Sequence, residues 1–175
     1  MRKTFIFVLV LVGAGSFLAA SQAAQKTVNF KKLQEFLPQV DLAGFAKGKP
    51  AGETSSAMGM STSEAQVTYK KEGVSIDVKI TDMAGIPFAQ MGASVMGMTE
   101  FENETENGYE KSIKVQGFAG TEKVDKSEDN KFCEVILFVG NRFQIELRGS
   151  GVSDAALLHK LLDGMNLGDL SKVTQ

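Results

Sequence analysis

Four of the chain's eight methionines stand in two Met-Gly-Met repeats, Met58-Gly59-Met60 and Met96-Gly97-Met98, the most suggestive soft-ligand spacing in the sequence. Thioether sulfur suits Cu(I) and stays competent where thiols would oxidise. Met58 and Met60 fall in a Gly-, Ala- and Ser-rich stretch without apolar periodicity, so they are the candidate metal pair for a copper-carrying alternative. The second repeat reads differently. Met91 and Met98 recur with Phe88 and Val95 at helical spacing, and Met91, Met96 and Met98 could line an adaptable groove for a protein or a small apolar ligand. Ordinary core packing is the simpler use of the same side chains.

Catalytic constellations are scarce. His159 is the only histidine, which removes every site that needs two. Four residues before Asp163, it reads as a surface imidazole beside a surface carboxylate. Cys133 is the only cysteine, so no internal disulfide forms, and within KFCEVILFVG it reads as a small core side chain. Gly149-x-Gly151 precedes a helix as a dinucleotide loop would, but Asp154 occupies the third glycine's place. Glu100, Glu102, Glu104 and Glu106 alternate without the Asp-x-Asp-x-Asp-Gly pattern of a calcium loop, and read as a solvated acidic sheet edge. Asn103-Glu104-Thr105 matches a glycosylation sequon. Asp77, Asp82 and Glu134 are the carboxylates left for a cofactor-free enzyme, the most distant alternative. The expectation is a protein that is not an enzyme, with no catalytic residues and no cofactor.

Where the chain works is easier to read. Arg2 and Lys3, the apolar stretch Phe5 to Leu18, and Ser21-Gln22-Ala23 predict a cleaved export signal over residues 1–23. Its loss would remove two cations and take the net charge from −2 to −4. Ala24-Gln25 follows the cleavage site, where a lipid anchor would need cysteine. A mildly acidic chain argues against nucleic acid, and no later stretch nears the roughly 18 consecutive apolar residues of a membrane helix. A periplasmic or secreted location follows.

The remaining residues, 24–175, are expected to form one domain. VNFKKLQEFLPQV places Phe30, Leu33, Phe36 and Leu37 on one helical stripe ended by Pro38, and 44–63 reads as a long flexible loop. EAQVTYKK and VSIDVKITD alternate around Lys71-Glu72-Gly73 as a β-hairpin. A second helix is predicted over Ile86 to Met98, then strands in YEKSIKVQGF, Thr121 to Asp125, KFCEVILFVG and RFQIELRG, the last two joined at Gly140-Asn141. With both alternating faces apolar, Phe132 to Val139 is expected to be a central strand covered on both sides. Ser153 is the expected cap of a closing helix with Leu158, Leu161, Leu162 and Met165 buried and Gly164 as its stop. These elements predict an α+β fold, a single mostly antiparallel sheet with α-helices packed on it.

That order, with a strand running through Gly149-Ser150-Gly151 into the closing LLHKLLDGMNL helix, resembles the PsbP-like family of small exported α+β domains over roughly residues 28 to 170. The resemblance implies a non-enzymatic accessory or binding protein and carries over no functional residue. The leading expectation is thus an exported, non-catalytic protein whose partner is an unknown protein or a small apolar ligand.

Overall fold

A computed structural model describes residues 26–57, 60–85, 100–129 and 131–174. In chain order the elements are α1 (Phe30–Gln34), β1 (Ala46–Lys47), β2 (Ala51–Ala57), β3 (Met60–Lys71), β4 (Val74–Gly85), β5 (Glu102–Thr105), β6 (Gly108–Val115), β7 (Phe118–Asp125), β8 (Phe132–Val139), β9 (Phe143–Ser150), α2 (Ala156–Asp163) and α3 (Leu167–Leu170). Among the described residues, nine antiparallel strands form one sheet in the order β1-β3-β4-β9-β8-β7-β6-β5, with β2 also paired to β3.

This corrects the α+β expectation: the described residues form a β-rich fold, about 13% of them helical. Two readings account for the difference. Residues 44–63, expected to be a loop, supply β1, β2 and the start of β3. Every residue of β2 except Gly52 is exposed, and a strand that buries neither face needs no apolar alternation. The first helix is also shorter than its stripe suggested, five residues opened by the Asn29 side chain accepting from Lys31 N. The signal stretch 1–23 and the second helix expected over Ile86 to Met98 lie outside the described residues.

Register explains the core. Tyr69, Ile76, Gly149 and Cys133 lie across from one another on β3, β4, β9 and β8, and so do Val67, Val78, Leu147 and Val135. All eight are buried on one face, and α1 and α2 pack there through Leu33, Leu158, Leu161 and Leu162. Each fully buried leucine contributes about 1.5–3 kcal/mol relative to exposure. Helix α1 lies on β2 and β3, and α2 lies on β8 and β9. The same face of β6 runs beyond them, leaving Tyr109, Lys111, Ile113 and Val115 half-buried in a row.

The opposite face is predominantly polar, tied by Lys79–Glu146, Arg148–Glu134 and Lys123–Glu110 pairs across neighbouring strands. Strand β8 is central, but only one of its faces is fully buried. Phe132, Ile136 and Phe138 are half-buried on the other, with the Arg148 and Lys123 cations over the Phe132 ring. The β8–β9 turn closes with the Arg142 N–H donating to the Val139 carbonyl (3.2 Å), with Gly140 at φ 61° and Asn141 at φ 53°, the positive pair of a type I′ turn.

Candidate functional site

Two buried carboxylates interrupt the apolar face, Asp82 on β4 and Glu122 on β7. Asp82 occupies the row next to Phe143. Its Oδ1 accepts from Ala84 N (2.9 Å) and Arg142 Nε (2.9 Å), and its Oδ2 from Val28 N (2.7 Å) and Arg142 Nη2 (2.7 Å). The same guanidinium donates to the carbonyls of Lys26 and Val173, so one buried acid joins both ends of the described chain to the sheet. Fixed donors surround a fully enclosed charge, the arrangement of a structural staple.

Glu122 is placed otherwise. It lies across from Lys111 and Val135, at the margin where the helices stop and the β6 row opens. Tyr109 Oη donates to Oε1 at 2.6 Å, Lys111 Nζ stands 3.5 Å from the same oxygen, and His159 Nε2 of α2 bonds Oε2. The Glu122 side chain is 4% exposed and that of His159 39%, so the imidazole carries the buried charge to the surface. Burial acts to raise the Glu122 carboxyl, but the Tyr109 and His159 hydrogen bonds outweigh it and hold the carboxyl below the usual range. Burial and the bond to Glu122 push the Tyr109 phenol up, leaving it a neutral donor.

His159 therefore pairs with Glu122, thirty-seven residues away, rather than with the Asp163 expected from helical spacing. Glu122 carries no local signal: in TEKVD it looks like any polar strand residue, and only the β6–β7–β8 register turns it inward. Gln116 carries no local signal either. It holds φ 49° in the β6–β7 turn, where its side chain donates to the Leu162 and Met165 carbonyls and accepts from Leu167 N. It thus ties the end of α2 and the start of α3 to the sheet.

The other candidates fall apart or lie elsewhere. Cys133 is buried, its thiol facing the Val152 carbonyl at 3.7 Å, and burial, Asp154 and Glu122 push it up to about 11. A thiol held neutral in this way is not a nucleophile. Asp77 and Glu134 flank Arg148 on the polar face while Asp82 lies on the other, so the three share no cleft. Met58, Met91, Met96 and Met98 lie outside the described residues, and Met60 is described only as the first residue of β3. Glu102 and Glu104 sit on the exposed edge strand β5, on the side shared with Tyr109 and Lys111. Ser153 does not cap α2: the cap is Ala155, with no side-chain bond, and Asp154 accepts from Ala156 N instead.

Among the described residues no cluster of three His, Cys, Asp or Glu could hold a metal, and no helix is long and apolar enough to cross a membrane. A shallow groove of about 340 Å³ opens at the other sheet edge, between β1 and β2, lined by Lys47, Lys49, Lys70 and Thr68. Lys47 is already engaged there, donating to the Pro38 carbonyl. Tyr109, Glu122 and His159 can bind polar groups, but Cys133 beside them supplies no nucleophile. Comparison of the chain with protein-family models, with curated proteins and with solved structures returned no match, so its functional reading rests on its own residues.

Proposed function

We propose that this is an exported, non-catalytic binding protein that recognises a partner protein on the end of its helix-side face that no described helix covers. One observation carries the reading. The rows that are fully buried on β4, β9 and β8 continue onto β6 as the half-buried Tyr109, Lys111, Ile113 and Val115, bordered by His159 and by the exposed edge β5. A half-buried strand face that mixes Tyr109, Ile113 and Val115 with Lys111 suits another protein better than a small molecule, which favours an enclosing cavity. The export-signal pattern of residues 1–23 supports a periplasmic or secreted setting, and the PsbP-like resemblance supports an accessory role.

Site-specific photo-crosslinking tests the reading in a periplasmic extract. A crosslinking residue at Ile113 or Val115 is expected to trap one discrete partner, whereas the same residue at Lys114, on the opposite face, traps none. Equal trapping at all three positions, or none at any, overturns it.

A further inference from the structure

We propose that the contact between His159 and Glu122 is a pH-set latch, in which the charge on the imidazole decides how firmly α2 is held at the margin of the Tyr109–Val115 shelf. The latch rests on the shelf being the binding surface, and it would make partner access depend on pH.

Helix α2 has two polar ties to the far end of the sheet. Gln116 holds its C-terminal carbonyls, and Glu122 holds His159 halfway along it. The N-terminal half has weaker support, because Ala155 brings no capping side chain and Asp154 answers only the Ala156 N–H. Loosening the His159 contact would therefore loosen this half first.

The charged and titratable groups facing the contact are Tyr109 and Lys111 on β6, Glu102 and Glu104 on β5, Cys133 on β8, Asp154 ahead of α2 and Asp163 within it. Carboxylates, lysines, phenols and buried thiols as classes keep their charge between pH 5 and pH 8, and histidine is the side chain that changes there. Protonated, Nε2–H makes a charge-assisted bond to a carboxylate that is already ionised. Neutral, it still donates to the ionised carboxylate, but the attraction between two full charges is lost.

Amide hydrogen exchange on the purified protein tests the latch with no partner present. With intrinsic rates corrected, protection of the α2 amides is expected to fall about two- to fivefold from pH 5 to pH 8, while protection in β8 and β9 stays level. His159→Gln keeps a donor that does not titrate and should abolish the change, and Glu122→Gln should do the same from the other side. Equal α2 protection in the wild type at both pH values overturns the latch, as does an unchanged pH response in both variants. Because exchange reads the protein alone, a failed latch is separable from a failed shelf, which the crosslinks report.

Discussion

Asp82 and Glu122 are both buried carboxylates facing the helices, yet their donors differ in kind. Asp82 is held by two backbone N–H groups and a guanidinium, none of which changes charge in the ordinary pH range. Glu122 is held by a phenol, an ammonium and an imidazole, and the imidazole is well exposed. The first arrangement fixes chain ends to the sheet. The second leaves an adjustable seam beside a part of the helix-side face that no described helix covers. Burial of an acid is therefore not the functional signal; what surrounds it is.

The sharpest way to break the comparison is Arg142→Leu, which leaves Asp82 buried without its cation and releases the Lys26 and Val173 carbonyls. Urea unfolding is expected to register a loss of about 3–5 kcal/mol. Glu122→Ala should cost less, about 1–3 kcal/mol, because Lys111 and His159 can turn to water while Tyr109 loses its acceptor. If the two substitutions cost the same, the distinction between staple and seam fails.

Acid titration probes the Glu122 seam directly. Glu122 has its carboxyl lowered on folding, so its contribution is complete above the ordinary carboxylate range and disappears as pH falls through the lowered folded value. Thermal melts across the acid range should show wild-type stability falling more steeply than that of Glu122→Gln, and parallel curves would remove Glu122 from the linkage. The smallest expected effect belongs to Tyr109→Phe, which deletes one donor at a half-buried position and should cost about 0.5–1.5 kcal/mol in the same urea assay.

Much of the sheet was legible in advance. Alternation marked β3 and β4, a run apolar on both faces marked β8, Gly140-Asn141 marked its turn into β9, and the leucine stripe with Gly164 marked α2, because each signal is carried by residues close in sequence. Strand β2 was not legible, since AGETSSA owes its conformation to seven register partners on β3 rather than to its own pattern. Strand β7 was read short for a related reason: Gly120 faces Ile113 and Leu137, where an added Cβ would stand 2.0 Å from the Ile136 carbonyl oxygen. The residue suits that close approach but breaks the apolar alternation.

The candidate site divides along the same line. By itself the sequence limited the chemistry, with one histidine, one cysteine and no paired ligands to make a hydrolytic or zinc centre. It also placed His159 on a helix. Which acid that imidazole meets was decided only by tertiary structure, because Glu122 reaches it through strand register and helix packing, whereas spacing along the helix pointed to Asp163. Composition and local periodicity act through neighbours a few residues apart, and the choice between a surface pair and a buried seam depends on contacts that only the closed sheet creates.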